Sequence, residues 1–125
     1  MLDRRPEENC LDLLKCKQIS ILARGALAKG LLVDKDAVPY LNYQAEEVGK
    51  AATAVATLSN TQRNKTQTAL AFVLAQPSIA SAVVGIRTIE QLEDVVQTTL
   101  SPQLTESEMK LLAKSIPINY YEQHR

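Results

Sequence analysis

Apolar residues fall in short blocks whose period changes along the chain. From Asp3 to Cys16, Leu11 and Leu14 share one face, Pro6 suits a first turn, and Glu7 and Glu8 sit where the positive end of a helix dipole favours acids. That spacing predicts a helix. Ile19 to Ala23 is an apolar run bounded by Lys17-Gln18 and Gly25, the pattern of a strand buried on both faces. Arg24 to about Asn42 has no clear period and contains Gly25, Gly30 and Pro39, so it reads as a long loop with a turn of helix near Leu31. Loops of that length in compact domains are usually functional.

The second half repeats the alternation. Val48, Ala51, Ala52, Val55 and Leu58 give Glu46 to Leu58 a helical period that Asn60 closes, and Thr66 to Gln76 is a more apolar helix ended by Pro77. Ala80 to Val84 is a second short buried strand stopped by Gly85. Thr88-Ile-Glu-Gln91 and Thr105-Glu-Ser-Glu108 each have the spacing of a capping box and open two further helices, the last ended by Pro117. Ile118 to Arg125 is polar and is expected to fray. The order helix, strand, long loop, two helices, strand, two helices is that of part of a parallel α/β fold. Two strands do not complete a sheet, and the first helix begins with no strand before it, as if the opening of the domain had been cut away.

Composition narrows the class. The 125 residues are 46% hydrophobic and 22% charged, which suits one globular domain spanning 1–125 and neither a disordered nor a fibrous chain. With one Phe, four Tyr and no Trp, the core must be aliphatic. A whole (β/α)8 barrel takes roughly 200 residues or more, so length excludes a complete one. The 14 basic and 14 acidic residues cancel, so no nucleic-acid or anionic-membrane surface is expected, and any anion site must be local. Cys10 and Cys16 stand about 9 Å apart along a helix rising about 1.5 Å per residue. They suit neither a disulfide nor a metal motif. With no signal-peptide core and no apolar run of about 18 residues, a cytoplasmic protein is expected.

Two segments could carry chemistry. Gly25-Ala-Leu-Ala-Lys-Gly30 follows a strand with the outline of a phosphate loop, but Leu31-Leu32 stands where Lys-Ser/Thr would hold phosphate and metal, which excludes a Walker-type NTPase. It is either a loop whose glycines let a ligand approach the backbone or a glycine-rich turn. In Gly85-Ile-Arg-Thr-Ile-Glu-Gln-Leu-Glu-Asp94 a strand ends at a glycine, a cation follows, and a helix opens with free N–H groups. Dipole, backbone donors and guanidinium together suit a phosphate. The same residues would equally serve as a plain helix cap with Arg87 as a solvated charge.

Three stretches carry a resemblance: LDRRPEE at 2–8, ISILARGALAKGLLVDK at 19–35 and ALAFVLAQPSIASAVVGIRTIEQLEDV at 69–95. In this order they resemble consecutive segments of the C-terminal half of aldo-keto reductases. The resemblance implies a partial (β/α)8 TIM barrel, running from the end of strand six through strand eight and the C-terminal helices, with two parallel strands and about five helices. It implies NADPH as cofactor and carbonyl reduction by hydride transfer as the activity of the parent enzyme. Arg24, Gly25, Leu27, Ala28 and Lys29 match the loop along the nicotinamide and pyrophosphate, and Lys35 matches a basic position near a cofactor phosphate. Gly85, Arg87, Gln91 and Asp94 match the motif that holds the 2′-phosphate and adenine.

Two positions depart from the pattern. Arg24 stands where many members have an aromatic ring, although a planar guanidinium also stacks. Val95 stands where many have Asn. The proton-donating Tyr and its Lys, Asp and His partners belong to the half of the barrel that would precede Met1. Tyr40, Tyr43, Tyr120, Tyr121 and His124 match no motif, so the resemblance assigns no catalytic residue to this chain, and no metal. The expected partners are NADPH and either a second copy or a separately encoded N-terminal half. A half-barrel serving only nucleotide binding or assembly is the alternative, while a complete unrelated α/β domain would explain the caps but not the order of the motifs.

Overall fold

The structure, a computed structural model, describes residues 1–123. His124 and Arg125, the end of the segment 118–125 read as a tail, lie outside it. The elements are α1 (Cys10–Cys16), β1 (Ile21–Arg24), α2 (Ala45–Thr57), α3 (Lys65–Leu74), β2 (Ile79–Val83), α4 (Ile89–Gln97) and α5 (Glu106–Lys114), with 3-10 turns at Arg5–Glu7 and Ala28–Gly30. Their order follows the sequence pattern: two parallel strands and five helices of an α/β fold.

Caps explain most boundaries. Asn64, Thr88 and Thr105 each accept a hydrogen bond on the side chain from a backbone N–H three residues on. Thr105 and Glu108 complete the expected box, the carboxylate accepting from Thr105 N–H at 2.7 Å. At Thr88 the box is displaced by one residue. Gln91 Oε1 accepts from the N–H of Arg87, at 2.9 Å, instead of from that of Thr88.

One helix expected from Asp3 to Cys16 is two elements. Asn9, at φ −147 and ψ −30, leaves the helical region between the Arg5–Glu7 turn and α1. The first turn is tied elsewhere: Arg4 donates to both Glu7 carboxylate oxygens at 2.9 and 2.6 Å and to the Ala113 carbonyl of α5 at 2.7 Å. The polar segment after Pro117 is anchored at its start, because Asn119 is 3% exposed. Its Nδ2 donates to Leu2 O and Asn42 Oδ1, and its Oδ1 accepts from Arg4 N–H.

The strands pair in parallel, with Leu22 against Ser81 and Arg24 against Val83. The first was expected to be buried on both faces and the second to be buried as well, and both expectations are overturned. Leu22 is 68% exposed and Val83 48%, and Arg24 and Ser81 beside them are exposed too. Side chains alternate across a sheet, so these four share one uncovered face. The opposite face, carrying Ala23 and Ala82, is partly buried, and α3 packs against β2. Helices therefore cover one side only. The main core lies away from the sheet, where Leu32 and Leu31 of the loop after β1 meet Val48, Ala51 and Val55 of α2, Ala69 and Phe72 of α3, and Leu112 of α5. Each large aliphatic side chain buried there contributes about 1.5–3 kcal/mol.

Candidate functional site

Parallel pairing brings the C-terminal ends of β1 and β2 side by side, since Arg24 is in register with Val83. The loops leaving these two ends carry the expected site residues. After β1, the chain turns at Gly25, whose φ of +71 requires a glycine-like conformation, and Gly25 O accepts from Ala28 N–H at 2.8 Å. Ala28 and Lys29 follow with φ of 48 and 59, so two consecutive non-glycine residues are held in the left-handed region. Gly30 ends the turn at φ +93 and its carbonyl accepts from Val33, Asp34 and Lys35 N–H. Lys35 folds its aliphatic stem over this glycine: a Cβ at Gly30 would lie 3.4 Å from its Cδ and Cε.

Burial explains this tight path. Leu31 and Leu32 are 4% and 1% exposed, so the residues that exclude a Walker loop are core residues that pull the turn against α2. Ala28 is also buried, at 2%, leaving only its backbone available to a ligand. Lys29, Lys35, Arg24 and Gly25 are exposed, and Leu27 is half-buried.

After β2, Gly85, Arg87 and Gln91 are exposed. Among the described residues Arg87 makes no ion pair, while its N–H is held by Gln91. The Glu90 carboxyl is held below the usual carboxylate range by its own backbone N–H and then by the Thr88 hydroxyl. Gln91 and Asp94 line an open groove of about 670 Å³ together with Asn64, Glu90, Glu93 and Gln97. No other expected site residue lines that groove. Asp94 accepts from Asn64 Nδ2 and, at 3.3 Å, from Gln67 Nε2. Asn64 and Gln67 were not anticipated. Their own box spacing was visible in the sequence, but a contact with α4 was not.

The tyrosines outside any motif have structural surroundings. Tyr43 is buried and donates to the Pro117 carbonyl at 2.6 Å, and Tyr40 bridges to it through the backbone. Tyr120 and Tyr121 are exposed, with Arg5 stacked 5.0 Å from the Tyr121 ring centroid. His124 lies outside the described residues. No helix among those residues is long and apolar enough to cross a membrane. Nor does any group of three or more His, Cys, Asp or Glu among them converge as a metal site.

Two parallel strands, helices on one face, and glycine-bearing loops at adjacent C-terminal strand ends define the class, a segment of a parallel α/β barrel. The chain belongs to the aldo/keto reductase family, whose model matches residues 1–117. It is similar to the uncharacterized oxidoreductase YqkF of Bacillus subtilis (strain 168), 38% identical over 134 aligned positions that take in 100% of this chain and 43% of that protein. Its structure is similar to the holo form of the aldo-keto reductase AKR11C1 from Bacillus halodurans, with a TM-score of 0.84 and 32% identity over 99% of this chain and 42% of that one. The apo form of that enzyme gives a TM-score of 0.81 over 98% and 43%. The chain therefore spans less than half the length of these relatives.

Proposed function

We propose that this chain is the NADPH-binding C-terminal portion of an aldo-keto reductase whose complete barrel reduces aldehydes or ketones. The observation that carries this reading is the juxtaposition of two strand ends, Arg24-Gly25 and Val83 to Arg87, on neighbouring parallel strands. The backbone there is open to a ligand: a Cβ built at Gly25 or Gly85 meets nothing within 4 Å. Arg24 lies on the uncovered sheet face, positioned to present its guanidinium plane to a flat ring.

NADPH supplies the hydride; this chain holds its nucleotide. Arg87 neutralises the 2′-phosphate, Gln91 turns its NH₂ to the base while Asp94 accepts from it, and Lys29 and Lys35 face the pyrophosphate side with Gly25, Leu27 and the Ala28 backbone. Gly85 lets the cofactor pass close to the chain. We assign no proton-transfer residue here, so the 125 residues alone are inactive toward carbonyls. Two free, exposed cysteines suit a reducing cytoplasm.

Titration of NADPH and NADH against the chain and its Arg87→Ala variant tests the reading. A charge-assisted phosphate contact predicts a loss of about tenfold or more for NADPH and little for NADH. Equal losses would remove Arg87 from the 2′-phosphate. Carbonyl-dependent NADPH oxidation by the isolated chain would overturn its inactivity.

A second reading, a half-barrel that works by assembly with another copy or with an N-terminal half, is favoured by the uncovered face of Leu22, Arg24, Ser81 and Val83. Unpaired strand edges and exposed apolar side chains favour association. A clean monomer in sedimentation at micromolar concentration, with or without a separately supplied N-terminal half, argues against it.

A further inference from the structure

The helix that carries Gln91 and Asp94 is poorly anchored by apolar packing. No residue of α4 is buried, and Ile89, Leu92 and Val96 are 66%, 43% and 54% exposed. Only Asp94 and Val95 of it are half-buried, so polar contacts carry much of its position on α3. The polar atoms that meet it come from the cap of α3.

That cap is made by two carboxamides. Asn64 Oδ1 accepts from Gln67 N–H at 3.0 Å, and Gln67 Oε1 accepts from Asn64 N–H at 3.0 Å. Both side-chain oxygens are thereby committed to the start of α3. A carboxamide whose oxygen is fixed on one side has its NH₂ fixed on the other. Here both NH₂ groups turn to the same acceptor: Asn64 Nδ2 and Gln67 Nε2 donate to Asp94 Oδ1, and Gln67 Nε2 also reaches Asp94 O at 3.4 Å. Gln67 is only 8% exposed, so its side of the contact is shielded from water, while Asn64 and Asp94 border the open groove. Ser and Glu at these two positions would build the same capping box without either NH₂ group that reaches Asp94, and the shorter Ser side chain carries only one hydroxyl proton.

We propose that Asn64 and Gln67 are positioning residues, a double-carboxamide clamp that holds Asp94 and so sets the placement of α4 and its Arg87–Gln91 entrance. The clamp acts through Asp94 and need not touch the cofactor itself. Its consequence for cofactor affinity rests on the nucleotide-binding reading above; its consequence for α4 does not.

The full chain and three variants separate the cap from the clamp. Asn64→Ser and Gln67→Glu each preserve the α3 box while removing a donor, and Gln67→Glu also sets a carboxylate against Asp94. Gln67→Glu with Asp94→Asn restores a donor–acceptor pair with the direction reversed. Amide hydrogen exchange, read residue by residue, should show α4 protection falling about tenfold in Asn64→Ser and further in Gln67→Glu, with α3 protection held. The double variant should regain protection in α4, a rescue that a purely structural cap would not produce. Unchanged α4 exchange in both single variants, or no rescue, overturns the clamp. In parallel, NADPH fluorescence titration should show Asn64→Ser binding about tenfold more weakly than the unmodified chain. Unmodified chain that binds no NADPH refutes the cofactor reading and leaves the clamp to be decided by exchange. Unmodified binding with no loss in Asn64→Ser refutes the clamp's control of the site.

Discussion

Arg63, 3% exposed, places its Nη2 2.5 Å from Glu108 Oε1 and so joins the turn before α3 to the first turn of α5. The same guanidinium donates to the carbonyls of Leu58, Pro102 and Gln103. It thus closes the end of α2 and the turn before α5 with one side chain. Glu108 keeps contact with water, so truncating Arg63 mainly leaves these carbonyls without their donor, a cost of about 1–3 kcal/mol. Arg63→Ala should lose about that much in urea-denaturation midpoints analysed at constant m. A loss below about 0.5 kcal/mol, the range of an ordinary surface substitution, would show that water replaces the guanidinium freely.

Glu108 gives the matching acid dependence. Its carboxyl is held below the ordinary value of 4.5 by the backbone N–H of Thr105 first and by the Arg63 guanidinium next. A depressed carboxylate adds stability above its unfolded pKa, and that stability disappears as pH falls through the lower folded value. Asp3 beside Arg5 adds in the same direction. Stability should therefore fall on acidification below about pH 4.5, and Glu108→Gln should be less stable at neutral pH and show a shallower fall. Parallel pH profiles for the two proteins would contradict this.

Element order was legible because caps and periods are local. Thr105 to Glu108 marks a helix start whatever surrounds it, and Pro117 marks a stop. The exposure of Leu22 and Val83 was not legible, because an apolar run reports what a strand would bury and not whether a neighbour is present. Nothing in the sequence around Arg63 signals its burial, which depends on carbonyls from the end of α2 and the 102–103 turn. Of the candidate site, the glycines, Arg87 and Gln91 were visible through strand-to-helix spacing. The tie from Asn64 and Gln67 to Asp94 joins separate helices and leaves no local signal.

The two strand-end glycines separate backbone strain from ligand approach. Gly25 sits at φ +71, whereas Gly85 has no such conformation, and neither has an atom within 4 Å of its would-be Cβ. Gly25→Ala should cost about 1–2 kcal/mol for an L-residue in the left-handed region. Gly85→Ala should stay within about 0.5 kcal/mol. If the cofactor passes both glycines, NADPH titration should nevertheless show weaker binding for both variants. Unaltered binding by a stable Gly85→Ala chain would mean that the methyl group meets no ligand there.

Leu22 tests what the open sheet face is for. Its side chain stands beside Arg24 on the uncovered side and is 68% exposed, so Leu22→Lys removes little buried area and should change the chain's own stability by no more than about 0.5 kcal/mol. If the face is covered in an assembled barrel, the same lysine places an unpaired charge in an apolar interface, a cost of several kcal/mol. Sedimentation of the chain, alone and mixed with an N-terminal half taken from a full-length relative, should then show association for the unmodified protein and none for Leu22→Lys. Association that survives the lysine would place the contact elsewhere, with the apolar stripe of Ile89, Leu92 and Val96 on α4 the next surface to substitute.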